Sequence, residues 1–439
     1  DGMYQQPDPT SARHVYVGAQ NGAFTRVDAK TGDRLEIRPR PPVPVLGSPA
    51  DTVRAGGDGD GADGFRFDWV TPSLVSAHDP STVYLGGNRL FVTRDRGDSW
   101  KATPDLTKGI DRDTLELMGV QGSAEMLSKH DGTASYSEIT TIAESPLDPD
   151  VLWVGTDDGN VQVSRDGGRS WTEVGGDVAG VEPTTYVSRV TASAEAPDVA
   201  YAAFDAHRRG EFGPLLYRTA DFGRTWTPIH GGLPGGAGPV NDVVEHPDRP
   251  GLLFAGTEHG LYVSPDRGTS WTPLMANLPT TLYDDLAIHP RERDLVAGTH
   301  GRSLWILDDT GPLAAWSEET AAKPVHLFEP RPATLFHYWK STSYRSQMPF
   351  SGENPPFGGL LTYHLADPAD AARLVVRSAD GDTVRTRDVP SSAGVLHRVT
   401  WDLRHEPPPT GDPDEDEGEE EREGPGEVRE PETVLPELS

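Results

Sequence analysis

The sequence predicts an all-β chain built from repeated four-stranded units, on two observations. The first is the frame Ser/Thr-x-Asp-x-Gly-x-x-Trp, which occurs four times: at Thr93/Asp95/Gly97/Trp100, Ser164/Asp166/Gly168/Trp171, Thr219/Asp221/Gly223/Trp226 and Ser264/Asp266/Gly268/Trp271. Each copy ends an alternating run such as Leu261-Tyr-Val-Ser264, as a strand entering a hairpin would. In such a turn the Asp accepts backbone N–H groups, the Gly takes positive φ and the Trp anchors the turn against the next strand. The second is composition: 48 Gly and 40 Pro in 439 residues, with few long apolar periodic runs, reads as many turns and room for two or three domains.

Taken in order, the chain opens with a unit containing His14-Val-Tyr-Val-Gly18, Asn21-Gly22, Ala23 to Asp28 and a degenerate copy of the turn at Thr31-Gly32-Asp33. The second unit runs from Arg66-Phe-Asp-Trp69 through Val83-Tyr-Leu-Gly86 to Trp100, and the third from Ser137 through Val151-Leu-Trp-Val-Gly155 to Trp171. A fourth spans roughly 186 to 229, a fifth runs from Val240 to Trp271, and a sixth begins at Tyr283 and has lost its Asp turn. The order strand, Pro corner, strand, tight turn, strand, hairpin recurs, and the Trp-to-Trp intervals shrink from 71 to 55 to 45 residues. A bare unit of that last length is one propeller blade. Pro41 to Gly64 reads as an exposed loop, and Asp111 to Lys129 as an insertion with a short rim helix. Residues 1–337 are therefore expected to form the propeller. The period-two runs in 338–405 read as strands of a partial immunoglobulin-like sandwich. Residues 406–439, charged and Pro-rich, read as a disordered tail or linker.

There is no Cys, which removes disulfides, thiolate metal sites and Cys nucleophiles, and no apolar run long enough to span a membrane. The net charge is −30, and 411–439 carry thirteen Asp/Glu against two Arg, so nucleic acid is not an expected partner. No phosphate loop, nucleophile elbow or His-Glu-x-x-His string occurs, and no cofactor is expected. No metal is expected either: the Asp58/Asp60/Asp63 run resembles a calcium loop, but Ala62 replaces a ligand and no Glu closes it.

The frame is that of the Asp-box, or BNR repeat, and the chain resembles β-propellers of the sortilin, sialidase and xyloglucanase type. Further strings, Arg66-Phe-Asp-Trp-Val-Thr-Pro72, Glu138-Ile-Thr-Thr-Ile-Ala-Glu-Ser-Pro146 and Gly298-Thr-His-Gly-Arg-Ser-Leu-Trp-Ile-Leu-Asp-Asp309, resemble a bacterial family of BNR-repeat, sortilin-like (VPS10-type) proteins often classed as glycosyl hydrolases. That resemblance implies secretion or a periplasmic location. It also implies a longer parent chain, since this one begins within an inner strand and ends before its sandwich closes.

Strand alternation puts the second-to-third-strand turns on the face where each first strand begins, here called the top. Candidate ligand-binding residues there are Arg66, Trp69, Asn88, Arg89, Asp158, His259, His300 and Arg302. A non-catalytic recognition module for a peptide, protein or glycan is the main expectation. The alternative is a glycoside hydrolase of the xyloglucanase kind using a carboxylate pair drawn from Asp68, Glu138, Asp157 and Glu258. A third reading is a scaffold subunit of a larger assembly. The Arg-Ile-Pro string of sialidases is missing.

Overall fold

Each repeat unit forms one sheet whose strands run in chain order from inner to outer edge. The computed structural model describes all residues except 1, 12, 54–63, 124–125, 127–134, 336–356 and 407–439. It divides into two units: residues 1–273, 279–290 and 296–306, and residues 274–278, 291–295 and 307–439. The first blade is Gly2–Pro7, His14–Ala19, Phe24–Asp28 and Arg34–Glu36. The third is Ile139–Glu144, Leu152–Thr156, Val161–Ser164 and Thr172–Glu173. The fourth and fifth repeat this order from Tyr186–Ala192 to Thr227–Pro228 and from Val240–Glu245 to Thr272–Pro273, and the sixth has three strands, Tyr283–Ile288, Leu295–Thr299 and Leu304–Leu307. Successive antiparallel four-stranded sheets of this kind are the blades of a β-propeller.

Second strands such as Leu152–Thr156 and Leu253–Thr257 are buried throughout, because neighbouring blades cover both faces of their sheets. A Gly closes the second strand where the next inner strand crosses it. A Cβ on Gly155 would lie 2.4 Å from Val187 Cγ1, and one on Gly256 would lie 2.8 Å from the Tyr283 carbonyl. Inner strands are also bulged at one place, between Ile139 and Thr141, Val187 and Arg189, and Val240 and Asp242. The extra residue turns to the following blade: Thr140 Oγ1 donates to Val187 O at 2.7 Å, Ser188 Oγ to Val240 O at 2.6 Å, and Asn241 Nδ2 to Tyr283 O at 3.4 Å.

The four repeated turns behave alike. In the second blade the N–H of Ser99 donates to Asp95 Oδ1 at 2.8 Å, the N–H of Gly97 donates to Thr93 Oγ1 at 2.9 Å, and Gly97 has φ 94°. The N–H of Gly223 donates to Thr219 Oγ1 at 2.9 Å and that of Gly268 to Ser264 Oγ at 2.8 Å, while Asp221 and Asp266 accept the N–H groups of Thr225 and Ser270. The tryptophans reach farther than the next strand. Trp100 Nε1 donates to Ile37 O, Trp226 to Val174 O and Trp271 to Ile229 O, each in the preceding blade, at 2.7, 2.8 and 2.7 Å. Trp171 instead bonds Gly168 O of its own turn at 3.0 Å.

Gly223 and Gly268 take the positive φ expected of the turn glycine and also meet the preceding blade. Their φ values are 78° and 83°, and both are buried. A Cβ on Gly223 would lie 2.6 Å from Val174, and one on Gly268 would lie 2.7 Å from Ile229. These are the residues whose carbonyls receive the Trp226 and Trp271 indoles, so glycine and tryptophan of one turn clasp the same neighbour. At Gly168 the insertion intervenes, with Leu46 lying 3.2 Å from where its Cβ would be.

In its described residues 43–53 that insertion forms strands rather than an exposed loop, while 54–63 lie outside the described residues. Val43–Val45 pairs in parallel with the outer strand Lys101–Ala102 and antiparallel with Ser48–Val53, making the second blade six-stranded, and the apolar side chains of Val43 and Leu46 find cover there. Among its described residues the rim insertion holds one 3-10 turn, Arg112–Thr114, and then a hairpin of Glu116–Leu117 with Val120–Gln121, not an α-helix. Met118 and Gly119, both with positive φ, close that hairpin.

In the second unit, helices Gly311–Ala315 and Glu318–Ala321 precede a three-stranded sheet of Val325–Leu327, Gly359–Leu365 and Leu396–Trp401. A hairpin, Ala372–Arg377 with Thr383–Val389, packs on it around Leu361, Tyr363, Leu365 and Val399. Its first strand, Val325–Leu327, lies ahead of residue 338. The acidic stretch 407–439 lies outside the described residues.

Trp271→Ala removes a buried indole and its bond to the preceding blade, and is expected to destabilise by about 3–5 kcal/mol. Trp171→Ala, half-buried and bonded only within its own turn, is expected to lose less. Urea unfolding of both variants checks the order; equal losses would remove the inter-blade role.

Candidate functional site

Three top-face segments meet between the second and third blades. Asp68 precedes the strand Ser73–Val75, Glu138 precedes Ile139–Glu144, and Asp157 sits in the turn after Leu152–Thr156. All three side chains are buried, and one carboxylate oxygen of each lies within 4.8 Å of the others. Asp157 is fixed by the backbone it faces: it accepts the N–H of Glu138 at 2.7 Å and of Ser137 at 3.2 Å, while its own N–H donates to Glu138 O. These bonds hold Ser137 at φ 66°, a left-handed conformation unfavourable for a side-chain-bearing residue. Asp68 accepts the Val70 N–H at 2.7 Å, and Glu138 accepts the Ser135 hydroxyl through Oε1. Glu138 Oε2 has no hydrogen-bond partner among the described residues.

Burial pushes the Glu138 carboxyl up to about 7, the Ser135 hydroxyl opposes this, and the charge of Asp68 adds to the rise. Burial likewise raises Asp68 and Asp157. Carboxylates this close do not all ionise near neutral pH, so the group shares a proton. Glu138 is its best holder, because Asp157 accepts two backbone N–H groups and Asp68 one, and those bonds favour the ionised form. The same oxygens could ligate a hard cation. The charges of Arg66, Arg112 and Arg208, all within electrostatic reach of the cluster, favour the proton over a further positive charge.

Beside the cluster lies a cavity of about 410 Å³. Asp157 is the cluster member in its wall, joined by Tyr136, Tyr186, Asp205, Arg112 and Arg208. The rim hairpin forms one side, docked onto the fourth blade by Met118 N–H donating to Arg208 O at 2.7 Å. The Arg112 guanidinium lies 5.6 Å over the Tyr136 ring, and Tyr136 Oη donates to Asp157 O at 3.1 Å. Asp205 ends the strand Val199–Asp205 opposite Tyr186 and holds His207, accepting its N–H at 2.8 Å and meeting Nδ1 at 2.7 Å. That hydrogen bond raises the His207 pKa above the ordinary value.

Of the four carboxylates singled out in the sequence, Asp68, Glu138 and Asp157 come together and Glu258 does not; the three are closer than the roughly 6.5–9.5 Å that an inverting pair requires. Arg66 is committed to Ser137 O, at 3.2 Å, and to Asp105. Asn88 accepts the Arg66 N–H and donates to Asp105, Arg89 donates to Thr103 O, and buried Asp158 accepts the Thr156 hydroxyl and the Lys108 N–H. Trp69 is partly exposed, and His259, His300 and Arg302 are exposed on the fifth and sixth blades. The Asp-turn residues, buried Gly223 and Gly268 among them, take no part in the cavity wall and serve the blades alone. The Asp58/Asp60/Asp63 run lies outside the described residues. Asp205, Arg112, Arg208 and the two tyrosines went unrecognised in the sequence as site residues. The length of the loop after Asp205 and of the rim insertion was the only signal for them.

No protein-family model matches the chain. It is similar to the oligoxyloglucan-reducing end-specific xyloglucanase of Emericella nidulans, 22% identical over 322 residues, covering 70% of this chain and 31% of that enzyme. Among solved structures it is similar to a GH74 xyloglucanase from Xanthomonas campestris (21% identity, TM-score 0.46, covering 69% of this chain and 44% of that one). Another is YCF48 bound to D1 peptide, at 14% identity and a TM-score of 0.42, covering 71% of this chain and 80% of that one. The chain thus spans less than a third of its curated relative. Among the described residues no helix is long and apolar enough to cross a membrane.

A carboxyl raised in the folded state binds its proton up to the folded pKa, so its stabilising contribution is complete below the unfolded value and lost as pH rises through about 7. Glu138→Gln, a permanent mimic of the protonated form, is expected to match the parent's stability at pH 5 and to exceed it at pH 9 by on the order of 3 kcal/mol. Thermal unfolding at the two pH values checks this.

Proposed function

We propose that the chain is a carbohydrate-active propeller of the glycoside hydrolase type, acting on a glycan held in the top-face cavity. The observation that carries the reading is two carboxylates in one cavity wall with different surroundings: Asp157, backed by the proton-sharing cluster, and Asp205, held by His207. Asp157 is the cluster's face toward the ligand and relays to the glycosidic oxygen the proton that Glu138 holds at rest. Asp205 is the base that takes a proton from the attacking water. Tyr136 and Tyr186 offer rings on which sugars stack, and the similarity to a xyloglucanase supports a glycan as the ligand. An extracellular or periplasmic setting fits such a substrate.

Binding without turnover is the second reading, and one observation favours it: Glu138 is 0% exposed and Asp68 lies behind the wall, so Asp157 alone of the cluster meets the cavity.

A panel of oligosaccharides incubated with the protein and scored for new reducing ends separates the two. On hydrolysis, Asp157→Asn and Asp205→Asn are each expected to lower the rate by about 100- to 10,000-fold; Asp205→Asn leaves melting near that of the parent, whereas Asp157→Asn also lowers it, because its amide sets a donor against one of the two backbone N–H groups that Asp157 accepts. Activity is expected to fall as pH rises through about 7, where Glu138 releases its proton. Bound sugar without reducing ends selects recognition; cleavage that survives both substitutions removes these residues from the chemistry.

A further inference from the structure

Among the described residues the cavity wall holds one guanidinium, that of Arg208, whose N–H donors the fold leaves without an acceptor. Arg208 lines it, half-buried, and its guanidinium makes no hydrogen bond or ion pair among the described residues. Only its backbone is engaged, through the carbonyl that receives Met118 N–H. The neighbouring groups are otherwise occupied. Arg209 donates to Thr184 Oγ1 at 2.6 Å, and the face of Arg112 lies over Tyr136. On the acidic side, Asp205 is held by His207 and Asp157 by two backbone N–H groups, while Glu116 is exposed on the rim hairpin. Arg208 therefore offers a planar fork of N–H donors at the wall of a partly desolvated cavity, a geometry matched by a carboxylate.

We propose that the glycan taken by this cavity carries a carboxylate, as a uronic acid does, and that Arg208 is its seat. This rests on the reading of the cavity as a glycan site and names the substrate class within it. A neutral sugar would leave the fork without an acceptor, whereas a carboxylate on one ring accepts two N–H donors while the ring itself lies against Tyr136 or Tyr186. On a chain of net charge −30 such a seat acts at contact, since the long-range field repels an acidic ligand. Its preference is therefore expected in the dissociation rate rather than the association rate.

The test is calorimetric binding of two oligosaccharide sets of equal length, oligogalacturonates and neutral xyloglucan oligosaccharides, to the full chain and to Arg208→Gln and Arg208→Lys. The expected result is tighter binding of the acidic set by about 10- to 100-fold, the worth of a charge-assisted bidentate contact. That preference disappears in Arg208→Gln and is reduced in Arg208→Lys, which keeps the charge but not the fork. Because Arg208 has no side-chain partner to lose, both variants are expected to melt with the parent. A parent that binds neutral oligosaccharides as well as or better than acidic ones overturns the proposal and leaves the glycan site standing. Binding of neither set overturns both. An acidic preference that survives in Arg208→Gln places the seat elsewhere and overturns the assignment.

Discussion

One extra residue in the inner strands of the third, fourth and fifth blades sets the terms for the propeller. A propeller blade can pair its strands only within its own sheet, so neighbouring blades need another way to fix their relative register. The bulge supplies it. By rotating Thr140, Ser188 and Asn241 out of the ladder, it lets each reach the backbone carbonyl of the next inner strand. Apolar packing between sheets is non-directional and would tolerate sliding; a side-chain donor bound to one particular carbonyl does not. The glycine opposite the bulge completes the constraint, since only a bare Cα lets the next strand approach this closely. At the outer edge Gly223 and Gly268 play the same part toward the blade before, each leaving room for the side chain of the residue whose carbonyl its turn's tryptophan binds.

The bulge also re-aims the residue that follows it. Thr141 accepts the Val190 N–H at 3.1 Å, and Asp242, at the same place two blades later, accepts the Leu286 N–H at 2.7 Å. Arg189 and Asp285 occupy that place in the other blades, where Arg189 pairs with Asp242 at 2.7 Å and Asp285 at 2.6 Å. Tyr4 of the first blade is within the field of all three and hydrogen-bonds Arg189. Opposite charges from separate blades thus meet along the inner strands. Removing one partner would strand a buried charge, which is far more damaging than never having placed the pair.

The outer parts of this scheme were legible from the sequence, because each is a residue type at a fixed repeat position. The four Asp turns are the clearest case, although their spacing showed only the hairpin and not the neighbour against which Gly223 and Gly268 are buried. A subtler one is the clamp in which Tyr84 donates to Glu144 and Tyr201 to Glu245, at 2.9 and 2.7 Å. Where the equivalent residue is Trp153, whose indole nitrogen has no acceptor, the next inner strand carries Ala192 in place of the Glu. Tyr with Glu and Trp with Ala could have been paired from the repeat alone. Three of the four carboxylates marked at strand starts and turns did converge, since topology alone brings adjacent blades' top turns together. Arg112, Arg208 and Asp205 could not be read this way. They stand in an insertion and an elongated loop with no counterpart in other blades, and nothing in the sequence says that Met118 docks on Arg208.

That division also explains how a repeat scaffold comes to have a particular chemistry. Repeat positions are held by the geometry of the ring: Asp158 and Asn88 look like ligand residues from their turns, yet both bind neighbouring backbone or side chains needed to set the blades. A side chain that must satisfy the fold is not available to a ligand. Of the groups that remain available, the Arg208 fork comes from a loop without counterpart in the other blades, while the rings of Tyr136 and Tyr186 stand where the third and fourth inner strands begin. The proton-sharing carboxylates sit at the boundary of the two regimes. Asp157 keeps Ser137 in its unfavourable conformation and at the same time faces the cavity, so the backbone strain and the poised proton depend on the same two N–H bonds. Rigid blades thereby hold a carboxylate whose cavity side is shaped in part by an insertion.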